Sequence, residues 1–130
     1  MYKDIDNIIK MREEIRDTEL IEININFRFD PEYKQKDQLD IILKFKKEIK
    51  NSYKIIILTF NDVIEYSLFY NFDRGRYDVE SLKFFYIDDK SKYYFSLDPF
   101  VENKEVDDRD NDIIIANKVG LNKLNYDEKA

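Results

Sequence analysis

Glu19-Leu-Ile-Glu-Ile-Asn-Ile-Asn-Phe-Arg-Phe-Asp30 alternates between apolar and polar residues along its length. Ile21, Ile23, Ile25, Phe27 and Phe29 share one parity, and Glu22, Asn24, Asn26 and Arg28 share the other. Successive side chains of a strand point to opposite faces, so this period of two predicts a half-buried β-strand. The β-branched and aromatic residues on its apolar side suit a pleated surface. Asp30-Pro31 ends it, because proline has no N–H to donate to the strand ladder. A strand with one polar face belongs to an antiparallel sheet; parallel strands are buried on both faces and read as continuous apolar runs.

Working outward, Ile5, Ile8, Ile9, Met11 and Ile15 fall near helical spacing, with Asp4 or Asp6 available as a cap. The segment Leu39–Ile49 reads two ways. Leu39, Ile41, Leu43 and Phe45 alternate as in a strand, while Leu39, Ile42, Leu43 and Ile49 share a helix face. The tail Lys46-Lys-Glu-Ile-Lys50 favours helix on propensity, but the surrounding meander favours a strand.

Lys54–Phe60 reads as a strand, with Asn61-Asp62 a turn or bulge. Ile64, Tyr66, Leu68, Tyr70 and Phe72 then alternate again, and Asp73–Asp78 forms a loop around Gly75. Ser81–Ile87 and Lys92–Leu97 form a hairpin joined by Asp88-Asp-Lys-Ser91. Asp98-Pro99 closes it, an acidic loop runs to Asp112, Ile113–Ala116 makes a last short strand, and the polar tail from Leu121 frays. The fold class expected is α+β: mainly an antiparallel sheet of about six strands, an N-terminal helix, and a second helix only if 39–49 is helical.

At 130 residues the chain is read as one domain, 1–130. Hydrophobic residues at 43% and charged residues at 38% place it among globular rather than disordered chains. No run approaches the ~20 apolar residues of a membrane span. Met1-Tyr-Lys-Asp-Ile-Asp lacks the features of a signal peptide, so a cytoplasmic location is expected. Cysteine is absent, which rules out disulfides. The net charge of −6 gives an average field unfavourable to nucleic acid, so neither direct nucleic-acid binding nor membrane binding is expected.

Histidine is absent too, which removes Ser-His-Asp and Cys-His catalysis and Cys/His zinc sites from this chain. With Gly75 and Gly120 as its two glycines, the chain can write neither a P-loop nor a dinucleotide fingerprint. Asp108, Asp110 and Asp112 are spaced as a calcium loop begins. The sixth position, however, is Ile113 where glycine is needed, and the twelfth is Val119 where a bidentate glutamate is needed. This is no EF-hand. Acids such as Glu65 offer no distinguished pair for glycoside chemistry. The expectation is a non-catalytic protein without cofactor or metal.

Ten tyrosines and ten phenylalanines carry more information. Phe84 and Phe85, or Tyr94 and Phe95, cannot line one core from one strand, so one of each pair faces the other side of the sheet. That side is either covered or forms an aromatic surface. In the second case Tyr93 or Tyr94 would anchor a partner. Asp107, Asp108, Asp110 and Asp112, with Asp88 and Asp89 from the hairpin turn, would steer a basic one.

Three stretches together carry a resemblance: Ile55-Ile-Ile-Leu-Thr-Phe-Asn-Asp-Val-Ile-Glu-Tyr66, Tyr93-Tyr-Phe-Ser-Leu-Asp-Pro99 and Asp110-Asn-Asp-Ile-Ile-Ile-Ala116. The chain resembles, over its C-terminal half, the small acidic antiparallel-β immunity proteins that accompany polymorphic toxins in low-GC bacteria. The resemblance implies a single domain that binds and blocks a co-encoded toxin. It assigns no residue a role. Separately, a basic toxin or nuclease domain is the expected partner, and a monomer or weak dimer the expected state. Three other readings use the same features. A phage-encoded anti-defence inhibitor needs the same kind of surface. A small-ligand domain needs a closed apolar pocket with convergent acids. A self-association module needs an aromatic sheet face or an open edge strand.

Overall fold

The computed structural model describes residues 5–68 and 76–127. Helix α1 (Ile5–Ile15) is followed by β1 (Glu19–Arg28), β2 (Gln38–Ile49), β3 (Ser52–Ser67), β4 (Tyr77–Asp78), β5 (Lys83–Ile87), β6 (Lys92–Asp98) and β7 (Asn111–Asp127). Among the described residues all pairings are antiparallel, in the order β4-β1-β2-β3-β7-β6-β5. The expected class therefore holds, with seven strands where alternation suggested about six.

Pairing decides residues 39–49. Ile41, Leu43 and Phe45 of β2 are fully buried and sit opposite Phe60, Leu58 and Ile56 of β3. Tertiary burial of one strand face thus overrides the helix propensity of Lys46–Lys50. A two-residue turn follows, in which Asn51 adopts a φ of 60°. Asn61-Asp62 is no turn; β3 runs on through it, and the bulge falls just beyond, after Val63. Asp62 has a φ of 53°, the register with β7 slips between Val63 and Glu65, and β3 runs on to Ser67. Phe69, Tyr70, Phe72 and the loop around Gly75 lie outside the described residues.

The last strand is much longer than its apolar run. β7 pairs with β3 from Ile113 opposite Ser67 to Asp127 opposite Ser52, so the expected frayed tail from Leu121 is the outer half of β7. Leu121 packs against the core, and β3 supplies backbone partners that composition alone could not reveal.

The sheet curls into a half-barrel. Tyr77 of β4 donates its hydroxyl to Asp112 of β7 at 2.6 Å, although β1, β2 and β3 lie between those strands in the sheet order. The two outermost strands, β4 and β5, are joined by residues 79–82 alone. Val79 holds this link to the α1–β1 turn, donating its amide to Thr18 O at 2.8 Å and accepting the Asp17 amide at 2.9 Å. Helix α1 sends Ile8, Met11 and Ile15 into the core cluster of β2, β3, β6 and β7. Glu14 fixes the helix by pairing with Lys54 of β3 at 2.9 Å and Lys123 of β7 at 3.1 Å.

One strand departs from its pattern. A bulge after Leu20 breaks the alternation of β1: Leu20 and Ile23, of opposite parity, both reach the core, while Ile21, expected on the apolar face, is exposed. Ile25 and Phe27 on the same side as Ile23 remain exposed, and so does Phe29 just beyond the strand.

Candidate protein-binding loop

Residues 99–110 connect β6 to β7 and fold back over the face of β5 and β6 that points away from the core. On the core side Phe84 packs against Phe95 (5.6 Å between ring centroids) and Tyr93 (6.1 Å). On the far side Lys83, Phe85, Tyr94 and Ser96 are also buried. The second aromatic face is therefore covered, with Phe85 against Tyr94 at 5.2 Å.

Lys83 and Asp110 form the centre of this cover. The lysine Nζ donates to Asp110 Oδ2 at 2.8 Å, and both side chains have 0% exposure. Lys83 donates again to the Glu105 carbonyl at 2.8 Å. Tyr94 Oη donates to the same Asp110 oxygen at 2.6 Å, and the Phe100 amide donates to the other at 2.9 Å. A buried ion pair is tolerable when its remaining hydrogen-bonding capacity is met in this way. Burial alone would raise the Asp110 carboxyl, but the bonds from Lys83, Tyr94 and the Phe100 amide outweigh it and hold the pKa below the ordinary value. The Tyr94 hydroxyl is pushed well up, first by burial and then by the carboxylate it faces.

A second anchor lies upstream in the loop. Glu102 Oε1 accepts the Leu82 amide at 2.8 Å and the Arg16 guanidinium at 3.1 Å, which ties the loop to β5 and to the end of α1. Near its end, Arg109 donates to Asp107 through both Nε (3.0 Å) and Nη2 (2.9 Å), and its guanidinium carbon lies 3.7 Å from the centre of the Phe100 ring. The Arg109 side chain, with its backbone amide, lowers the Asp107 carboxyl to about 2.

Several expected site residues therefore change role. Asp110, Asp112, Tyr93 and Tyr94 are buried, so as placed they cannot form the rim or anchor of an interface. Asp110 holds the loop from beneath, and Asp112 accepts Tyr77. Tyr93 lies in the core against Tyr86 at 4.9 Å, and Tyr94 is sealed under the loop. Asp107 is half-buried and committed to Arg109, whereas Asp108, Asp88 and Asp89 are exposed. Asp110 and Asp112 turn to different partners, so the Asp108-Asp110-Asp112 spacing builds no shared ligand set. Among the described residues no group of three or more acidic side chains is placed to hold a metal ion.

Sequence reasoning missed Phe100, Val101 and Val106, which stand exposed on this same loop at 55%, 49% and 56%. It also missed Lys83. A lone lysine between Leu82 and Phe84-Phe85 was the available signal, since a charge inside an apolar strand needs a partner. The loop thus exposes Glu105 and Asp108, together with Lys104 and Arg109 and three apolar side chains, and it is held at Glu102, Glu105, Asp107 and Asp110. Among known protein families, curated proteins and solved structures, none matches this chain.

Proposed function

We propose that this protein is a non-catalytic inhibitor that binds another protein, and that it serves as an immunity protein neutralising a toxin encoded beside it. One observation carries the reading: an exposed acidic and apolar loop rests on a sealed Lys83–Asp110–Tyr94 node. Fixing a loop before it meets its partner removes ordering entropy from the cost of association. Phe100, Val101 and Val106 supply apolar contact, and Asp108 and Glu105, with Asp88 and Asp89 on the hairpin turn, supply the charge. With a net charge of −6, the chain would be steered toward a basic cleft such as that of a nuclease toxin. The resemblance of its C-terminal half to immunity proteins points the same way.

The test is capture of the tagged protein from its native host, with mass spectrometry of what survives a salt wash. The expected result is one stoichiometric partner bearing a toxin domain, whose activity disappears on adding an equimolar amount of this protein. A partner held equally well by the Phe100→Ala and Asp108→Lys variants would remove the loop from the reading. A phage-defence component in place of a toxin would convert the reading to an anti-defence inhibitor.

A further inference from the structure

The outer edge of β1 is covered, among the described residues, only at its start. Among the described residues, β4 pairs with Glu19 and Leu20, and nothing pairs with Glu22–Arg28 on the side away from β2. A bare edge is a row of unpaired amides and carbonyls ready to accept another strand, and proteins usually blunt it with lysine, proline or a covering loop. Here the edge residues are Glu22, Ile23, Asn24, Ile25, Asn26, Phe27 and Arg28, with Ile25 44% exposed and Phe27 63% exposed.

This stretch is complementary to itself. We infer that two copies of the chain pair antiparallel through β1, around a two-fold axis at Ile25. Glu22 of each copy then faces Arg28 of the other, Asn24 faces Asn26, Ile23 faces Phe27, and the two Ile25 side chains meet on the axis. Polar residues meet polar on one side of the joined sheet, and apolar residues meet apolar on the other, as directly opposed cross-strand pairs require.

The charges beside the edge extend the match. Within one chain Lys44 pairs with Glu22 at 3.2 Å, and Arg28 pairs with Asp40 at 3.0 Å. Joining two copies produces a row that alternates in sign: Lys44 and Glu22 of one, then Arg28 and Asp40 of the second copy. The two-fold axis repeats this row once.

Other registers lose the match. Sliding by one residue sets polar against apolar along the whole strand. Sliding by two sets Glu22 against Asp30, or sets Arg28 against Leu20, whose edge β4 already covers. The same strand seam adds Ile23, Ile25 and Phe27 of one copy to those of the other, which shields apolar surface that the core of one chain leaves exposed.

This inference is independent of the toxin-binding reading, because it rests on β1 residues and uses no residue of the 99–110 loop. Sedimentation equilibrium over a wide concentration range tests it. The wild-type chain should show a concentration-dependent dimer. Glu22→Arg and Arg28→Glu should each weaken dimerisation by about tenfold or more, since two symmetry-related pairs become like-charged at once. An equimolar mixture of the two variants should dimerise again, because every Arg then faces a Glu of the other chain. Circular dichroism of each variant confirms that the exposed substitutions leave the fold intact. A wild-type chain that stays monomeric at all concentrations would overturn the proposal and leave this edge to a different protein. A dimer indifferent to both substitutions, or single variants that fail to associate when mixed, would overturn the register.

Discussion

Lys83 and Asp110 meet at 2.8 Å with neither side chain reaching solvent, and they join the edge hairpin to a loop 27 residues further along the chain. Removing one partner leaves the other as an uncompensated buried charge. Asp110→Ala should cost about 3–5 kcal/mol in urea unfolding. The double change Lys83→Met with Asp110→Leu, made together with Tyr94→Phe so that no hydroxyl is left facing an apolar side chain, removes both charges and should cost less than the single change, because apolar side chains of similar size often replace a buried ion pair with little loss. A combined variant as unstable as the single one would mean that the Phe100 and Glu105 contacts, rather than the paired charges, dominate.

Acid should unfold the protein partly through this loop. Asp110, Glu102 and Asp107 all have carboxyl pKa values held below their ordinary values. For Asp110 and Glu102 burial opposes the shift and the hydrogen bonds and ion pairs outweigh it; for Asp107 the bonds from Arg109 dominate. A carboxyl with a depressed folded pKa contributes stability that is fully present above its unfolded value, near ~4. That stability is lost as pH falls through the folded value, which for Asp107 lies at about 2. Unfolding midpoints should thus be insensitive to these groups near neutrality and should fall below about pH 4. In Asp110→Asn the overall midpoint drops, and the remaining acid-side slope should be shallower than in the wild type. An unchanged slope would remove Asp110 from the acid response.

The curl of the sheet rests partly on Tyr77 and Asp112. Tyr77→Phe removes the 2.6 Å bond to the buried carboxylate while keeping the ring against the core. A hydrogen bond to a charged group contributes about 1.5–3 kcal/mol, so thermal or urea unfolding should report a loss of that order. Amide exchange should quicken first in β4 and the start of β1, where pairing is only two residues long.

The Tyr77–Asp112 and Tyr94–Asp110 contacts also mark the limit of what local sequence pattern shows. Local alternation located β1, though not the bulge after Leu20 that turns Ile21 outward, and it was sufficient for the β5–β6 hairpin with its turn at 88–91 and for the choice of an antiparallel sheet. It was ambiguous for Leu39–Ile49, because a strand period and a lysine-rich helical tail coincide there, and only burial against β3 decides. It failed for the outer half of β7, whose polar residues form a strand because β3 pairs with them. The Asp108-Asp110-Asp112 spacing was visible, but its meaning was not. Lys83, Tyr94 and Tyr77 lie 16 to 35 residues away from their acidic partners, and no local period links them.

If the 99–110 loop is the partner surface, charge and apolar contact should separate in the kinetics. Asp108, Asp88 and Asp89 are exposed and act at a distance, so lysine at these positions should mainly slow association, and added salt should slow association of the wild type in the same way. Phe100 is stacked under Arg109 and would lie within the contact, so Phe100→Ala should mainly speed dissociation. Truncating one well-placed interface aromatic typically costs about 2 kcal/mol or more, a loss of roughly thirtyfold in affinity. Stopped-flow association and surface-bound dissociation measured with the captured partner would distinguish the two effects. An association rate indifferent to salt would reject steering by the acidic residues while leaving the apolar contact of Phe100, Val101 and Val106 to be judged by dissociation alone.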